Sequence, residues 1–433
     1  MGVALFAERR LRVLKHQSGL TADMGAVYCV HLANQALPLI TIPYLSRVLG
    51  AETWGLVAMA QSFAACGGLL VGYGFLYSAT RQIAQANTDS EVQEIIAGVS
   101  GAKLLLGCGA LALASVAYFA IPPFHRFPVL FWSATGSEII KALLPVYFFY
   151  GVKRISTASV FDIFARAATT AGILLFVQGP EHAWRIFAFS GAASFTALLA
   201  AHAILFKHYS PRLPRLRESF RIIREGWAMF LFRGSHTVYT AGNAFILGLF
   251  AAPQAVGYYA GAEKISAAAL GLLSPFSTAL YPRAAGLVRI SFDKAARLTA
   301  KSLAVVGTAS LLLMFALWFG ASLIVPVVLG HGFDSSAGVL RILSLRAPLI
   351  ALVNVLGFQW LLALGFERQF QKITLAALAV NSVLAAILAP SFSYSGMAWS
   401  VLVSQLAAVI GIYVVLQQRG LNPLRAHTRG SYA

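Results

Sequence analysis

The chain has 433 residues, 58% hydrophobic and 11% charged, whereas ordinary soluble domains carry about a quarter charged residues; this excludes a soluble globular protein. A formal net charge of +18 would suggest nucleic-acid binding in a soluble chain, but the Lys and Arg residues lie mostly between apolar runs. No basic stripe interleaved with stacking aromatics is present, which excludes that partner.

The opening, MGVALFAERRLRVLKHQ, has no apolar core long enough for a signal peptide, so the first span is expected to direct insertion. Twelve apolar runs follow, at about 21–45, 54–78, 95–120, 128–150, 156–178, 184–206, 227–250, 257–281, 299–325, 339–364, 372–390 and 395–416. Each is long enough to cross a ~30 Å hydrocarbon core as a helix. Short turns predict antiparallel helical hairpins, and barrel-type alternation is absent. The expected fold class is an all-α integral membrane protein with about twelve transmembrane helices. Cys29, Cys66 and Cys108 all fall inside these runs without CxxC or Cys/His spacing, so they read as small packing residues rather than disulfides or zinc ligands.

The segment KHYSPRLPRLRESFRIIREGW, from Lys207 to Trp227, separates six runs from six. The expected domains are an N-terminal six-helix lobe at 1–206, a basic cytoplasmic linker at 207–226, and a C-terminal six-helix lobe with a short tail at 227–433. Within the linker, Leu216, Phe220 and Ile223 fall to one side of a helix and Arg217, Arg221 and Arg224 to another. An amphipathic helix on anionic lipid and a solvated linker both fit this pattern. The segments GLVAMA from Gly55 and GYYAGA from Gly257 share Gly, Ala and Ala at one spacing. A parallel duplication gives such a match, as do small residues recurring for close helix packing.

Lys and Arg concentrate on alternate loops: Arg81, Lys153, Arg154, Lys207, Arg212, Arg283, Arg368 and Arg419 on one set, Arg47, Arg126, Arg185 and Arg341 on the other. Positive loops stay inside, which places both termini in the cytoplasm.

A few ionisable residues remain within the spans: Lys103, Glu138, Lys141, Asp162, Arg166, Arg233, Glu263, Lys264 and Arg346, with Asp23 near the first span's start. A charge at a helix centre costs about 2.5 kcal/mol or more on insertion scales, so such groups face a bundle interior or a wet cavity. Glu138 with Lys141, and Asp162 with Arg166, have the spacing of same-face helix pairs; they either fix helix register or line a cavity. Lys103 lies near a cytosolic helix end and is expected to snorkel. Arg166 is too deep to snorkel easily and is the foremost cavity candidate, while Arg233 and Arg346 have no acid one turn away on their own helices. A ligand phosphate or a carboxylate on a neighbouring helix would satisfy them.

In PLITIPYLSRVLGAETWG, Pro38 and Pro43 remove backbone donors from the first span, with Arg47 just beyond them. A kink is expected there, either static or a hinge between inward-open and outward-open states, with Arg47 at the outer mouth. No P-loop, GxSxG, paired-acid or His/Glu metal motif is present. The reading is therefore not an enzyme and has no cofactor or metal.

Longer blocks carry a resemblance. PLITIPYLSRVLGAETWGLVA, GYGFLYSATRQIA from Gly72, LPVYFFYGVKRI from Leu144, REGWAMFLFRGSHTVYTAGNAFILGLFAAPQAVGYYAGAEKI, LYPRAA and LRILSLRAPLIALVNVLGFQWLLALG are similar to the bacterial polysaccharide exporters, the Wzx-type O-antigen flippases. That family more often has Trp at the position of Tyr147 and Gln at that of Tyr150. The resemblance implies the multidrug/oligosaccharidyl-lipid/polysaccharide flippase superfamily fold, with two six-helix lobes around a central cavity in the bacterial cytoplasmic membrane. It also implies transfer of an undecaprenyl-pyrophosphate-linked oligosaccharide repeat unit to the periplasmic leaflet for O-antigen, capsule or exopolysaccharide assembly. A polysaccharide polymerase and other assembly proteins are the expected partners.

On this reading Arg166, Arg233, Arg346, Lys141, Lys264 and Arg47 attract the diphosphate or acidic sugars. Glu138, Asp162 and Glu263 bind a coupling ion, H⁺ or Na⁺. A peptidoglycan-precursor flippase and a cation-coupled multidrug antiporter of the same superfamily are the alternatives. The excess of bases over acids in the spans favours an anionic cargo over cationic drugs, and the short outer loops disfavour a glycan polymerase.

Overall fold

The computed structural model describes residues 19–423, with the backbone alone at 19–36, 232, 235, 236, 274–279 and 289. The basic termini and the side chains of Asp23 and Cys29 thus lie outside the described residues. Every regular element among them is a helix: α1 Gly19–Gly72, α2 Phe75–Gln85, α3 Asp89–Ala120, α4 Pro122–Arg126, α5 Pro128–Leu143, α6 Val146–Gly151, α7 Ile155–Phe176, a 3₁₀ turn Pro180–His182, α8 Ala183–His208, α9 Leu216–Ala241, α10 Asn243–Gly248, α11 Pro253–Gly271, α12 Ser274–Ile290, α13 Phe292–Leu329, α14 Ser335–Ser344, α15 Arg346–Leu352, a π-helical stretch Val353–Leu361 and α16 Glu367–Gln418.

Local chemistry sets many of these ends. Thr88 caps α3 by accepting from the Glu91 N–H, while the Glu91 carboxylate reaches back to the Asn87 N–H, a reciprocal arrangement close to a capping box. Ser291 caps α13 by accepting from the Lys294 N–H. Proline stands in the first turn of α4, α5 and α11, where its missing donor costs nothing. Gly330 follows α13 with φ 86°, the left-handed conformation that suits glycine.

Eight helical spans among the described residues are long and apolar enough to cross a membrane, against twelve runs in the sequence. Part of the difference is continuity. α1 passes through the runs at 21–45 and most of 54–78, and α16 through those at 372–390 and 395–416, interrupted by non-helical backbone at Gly50 and at Ser393. The interruption in α1 is not at the prolines: Pro38 and Pro43 lie within continuous helix, and the departure is at Gly50, with φ 70°. Glycine tolerates that angle without steric cost. α9 opens with Arg217, Glu218, Arg221, Arg224 and Glu225, which removes its first turns from the apolar class.

The chain forms two compact units. Among the described residues, the first takes 19–41 and Met59–Gly242; the second takes Ile42–Ala58 and 243–423. This division falls after Gly242, later than the basic segment at 207–226, because α9 packs on α3 and α2. In the first unit α5 packs on α8, α8 on α7 and α2 on α6, around a core that includes Tyr73, Phe75, Ile83, Val99, Phe149 and Leu205. In the second, α14 packs on α11 and α13, and α12 on α13 and the π-helical stretch, with Trp360, Leu361, Ile412 and Leu416 in a buried cluster.

Candidate functional site: a cationic cavity in the first unit

Within the first unit, residues of α1, α2, α3, α5, α6 and α9 enclose a cavity of about 330 Å³. Its charged lining consists of Lys103, Glu138, Lys141 and Arg233, with Tyr147 and Thr237 beside them. Three cations against one carboxylate leave a formal excess of two positive charges.

Arg233 is set in place by the packing of α9. Phe230 stacks on Tyr73 with ring centroids 4.4 Å apart, and a Cβ on Gly74 would stand 3.0 Å from the Met229 carbonyl carbon, so α9 rests directly on the α1–α2 joint. Gly72 then faces the guanidinium; a Cβ there would stand 3.9 Å from Arg233 Nη1. The described residues give Arg233 no hydrogen-bond or ion-pair partner. Thr237, one turn on, shares its face and also lines the cavity, as i, i+4 spacing requires.

Lys141 and Glu138 form an ion pair of 3.0 Å along α5, with Lys141 about half exposed. Gly68 makes room for it, since a Cβ there would stand 3.3 Å from Glu138 Oε2.

Lys103 corrects the sequence expectation. Instead of snorkelling, its side chain is buried and its ammonium donates to the carbonyls of Ala142, at 2.7 Å, and Leu144, at 2.8 Å. These carbonyls stand where α5 ends before Pro145, and the last carbonyls of a helix lack intrahelical donors. The ammonium also lies 5.1 Å from the Tyr147 ring centroid, within cation–π range. Two of its three donors are used on the backbone. The available signal was the Leu144-Pro145 break, which strands acceptors that some buried donor must satisfy.

The other site candidates lie elsewhere. Arg166 donates through Nε to Asp162 at 2.9 Å, both side chains 38% exposed on α7, and neither lines this cavity. In the second unit, Arg47 donates to the carbonyl of Val327 and so serves the open end of α13; the same arginine packs where a Cβ on Gly330 would stand 2.7 Å from its Cγ.

Glu263, Lys264 and Arg346 belong to the second unit, on α11 and at the start of α15. Tyr259 donates to Glu263 at 3.4 Å, and Asn381 donates to Asn243 at 2.9 Å beside them. Arg346 Nε and Asn381 Oδ1 are buried with no hydrogen-bond partner among the described residues. No carboxylate lies within ion-pair distance of Arg346 or Lys264 among those residues. The nine sequence candidates therefore separate into a cavity group (Glu138, Lys141, Arg233), a second-unit group (Glu263, Lys264, Arg346), the Asp162–Arg166 pair and the end-capping Arg47.

A family model described as "Polysaccharide biosynthesis protein" matches residues 20–288. Two curated relatives share the name "Putative O-antigen transporter". The one from Escherichia coli (strain K12) is 28% identical over 376 residues, covering 86% of this chain and 91% of its own. The one from Shigella dysenteriae is 25% identical over 392 residues, covering 89% and 96%. Among solved structures, the lipid II flippase MurJ in an inward closed conformation is similar with TM-score 0.73 at 12% identity, covering 94% of this chain and 90% of that one. An inward-facing multidrug resistance MATE family transporter of the MOP superfamily is similar with TM-score 0.59 at 14% identity, covering 93% and 96%. At such identity the likeness is one of fold.

Proposed function

We propose, from the premise that this chain belongs to the polysaccharide biosynthesis protein family, that it is a flippase for a polyprenyl-diphosphate-linked oligosaccharide repeat unit. It works in the bacterial cytoplasmic membrane, moving the unit from the cytoplasmic to the periplasmic leaflet by alternating access. The oligosaccharide then enters assembly of O-antigen, capsule or exopolysaccharide by a polymerase.

The observation that carries this reading is the two-charge cationic excess in the first-unit cavity. A diphosphate diester carries two ionised oxygens at neutral pH and cannot cross hydrocarbon without counter-charges, since each unpaired charge costs several kcal/mol there. Arg233 offers a planar fork of donors suited to phosphate, Lys141 a cation that can exchange Glu138 for the cargo, and Lys103 a buried nitrogen held on the Ala142 and Leu144 carbonyls with one donor left over. The polyprenyl tail stays in lipid while the head enters. Arg346 and Lys264 give the second unit its own cations, and Glu138, Asp162 and Glu263 are the carboxylates that H⁺ or Na⁺ would bind to drive the cycle. The same cation excess repels the cationic drugs of a multidrug antiporter.

The test is reconstitution in vesicles containing a fluorescent polyprenyl-diphosphate oligosaccharide, with a membrane-impermeant reductant reporting its arrival in the outer leaflet. Protein-containing vesicles should expose the lipid faster than empty ones, and Arg233→Gln and Lys141→Gln should slow this. Equal exposure with and without protein overturns the activity; unchanged rates in both variants overturn the site.

A further inference from the structure

We propose that the start of α9 is a docking surface for the anionic phospholipid headgroups of the cytoplasmic leaflet. One side of this segment is used within the protein: Ser219 and Ile222 are buried, and Gly98 and Gly101 of α3 admit them, a Cβ on Gly98 standing 3.6 Å from Ile222 Cγ1. The other side is largely exposed, although Ile223 beside it packs on the first-unit core and the Trp227 ring lies against Phe230 one turn on. Leu216, Phe220 and Trp227 are 53–66% exposed and, at 100° per residue, lie within about 40° of one another around the helix. Arg224, Arg217 and Arg221 come next, about 80–140° from Leu216. An apolar stripe bordered by a basic one is the pattern of a helix lying at a membrane interface.

Charge complementarity identifies the occupant. Arg221 is held by Glu94 at 2.9 Å and Arg215 by Glu218 at 3.7 Å, whereas Arg212, Arg217 and Arg224 are exposed and have no acidic partner among the described residues. Three unneutralised guanidiniums beside exposed apolar side chains fit phosphate headgroups above acyl chains; a zwitterionic surface leaves them uncompensated. The place in the fold agrees. This segment crosses α3 at Gly98 and Gly101, where that helix passes from its charged start, with Asp89, Glu91 and Glu94, into its apolar run. The same continuous helix carries Arg233 into the cavity, so a lipid held at its start fixes the base from which that arginine projects.

Trp227 is the built-in probe. The full-length protein is reconstituted in bilayers containing acyl-brominated phosphatidylglycerol or acyl-brominated phosphatidylcholine at equal mole fraction. The Trp227 signal is the difference between the wild type and a Trp227→Phe variant that elutes as the same monodisperse species. The brominated phosphatidylglycerol should quench it preferentially, with an enrichment of roughly fivefold for even one uncompensated arginine at the surface. The Arg212→Gln/Arg217→Gln/Arg224→Gln variant should make the two lipids equal. Equal quenching in the wild type, quenching by neither lipid as a solvated linker would give, or a preference that survives the triple variant each overturns the proposal. None of these outcomes depends on flippase activity.

Discussion

Gly55 and Gly257 meet backbone to backbone. A Cβ on Gly55 would stand 2.7 Å from the Gly257 nitrogen, and one on Gly257 would stand 2.8 Å from the Ala51 carbonyl carbon, with the carbonyl oxygens of Pro253 and Ala51 nearer still. The contact is reciprocal: each glycine abuts the residue four before the other. A two-fold relation between paired segments produces this self-complementary pattern, and these are the two segments, GLVAMA and GYYAGA, that match as a repeat. The crossing fits both readings of the match, a parallel duplication and small residues placed for close helix packing.

Neither side of this crossing has room for a methyl group. Gly55→Ala and Gly257→Ala should each lower stability by at least about 1–3 kcal/mol, the cost of overpacking, seen as a fall in the thermal midpoint of the detergent-solubilised protein. Gly109→Ala is the control: it sits within α3 with nothing within 4 Å of a new Cβ, so helix propensity should leave it neutral or stabilise it by up to about 1 kcal/mol.

Arg233 has no partner among the described residues, so its substitution should affect cargo rather than fold. Arg233→Gln should keep the thermal midpoint within a degree or two and reduce flipping about 10- to 100-fold, the worth of a hydrogen bond to a charged group. Arg233→Lys should recover only part of the loss, because a point charge replaces a bidentate fork. Vesicle flipping rates beside melting curves separate the two effects.

On the proposed function, Glu138 and the cargo compete for Lys141, which the structure pairs with Glu138 at 3.0 Å. Glu138→Gln should bind a diphosphate headgroup about tenfold tighter, as one charge-assisted contact on Lys141 is freed. Fold stability should change by less than about 1 kcal/mol, because the pair is partly exposed and such pairs contribute little. Tighter binding slows release, so the variant should combine higher affinity in a titration with slower multi-turnover flipping. Weaker binding would show that Glu138 orients Lys141 for the cargo instead of competing with it.

Helix geometry made some of this visible in the sequence. Glu138 with Lys141 and Asp162 with Arg166 pair as their spacing requires, because a helix brings residues three or four apart together whatever surrounds it. The all-helical apolar character was equally legible, as membrane length is a property of a single segment, but the count was not: eight helical spans among the described residues stand against twelve runs. What brings Lys103, Lys141 and Arg233 to one cavity is the packing of α1, α3, α5 and α9, which depends on contacts such as Met229 on Gly74 and Phe230 on Tyr73; no spacing records these. The same limit applies to Arg166, whose depth made it the foremost candidate although the cavity is built on other helices. Arg47 reads as a pore-mouth charge in sequence, while the carbonyl it serves lies 280 residues away.

Lys103 joins fold and site, and its substitution should separate those roles. Lys103→Met keeps the length of the side chain but removes the donors to Ala142 and Leu144. Leaving a buried acceptor unsatisfied costs about 1–3 kcal/mol, so the thermal midpoint should fall clearly, unlike that of Arg233→Gln. Arginine at this position restores charge but must fit a larger planar group into a buried site, so it should recover little of the stability. The contribution to cargo is read from ligand-induced stabilisation, because a ligand that binds only the folded state raises the midpoint in proportion to its affinity. With the polyprenyl-diphosphate oligosaccharide added, the wild type should gain more than Lys103→Met by an amount equivalent to about tenfold in affinity. An equal gain in both would assign Lys103 to the α5 terminus alone and leave Lys141 and Arg233 as the cations that meet the diphosphate.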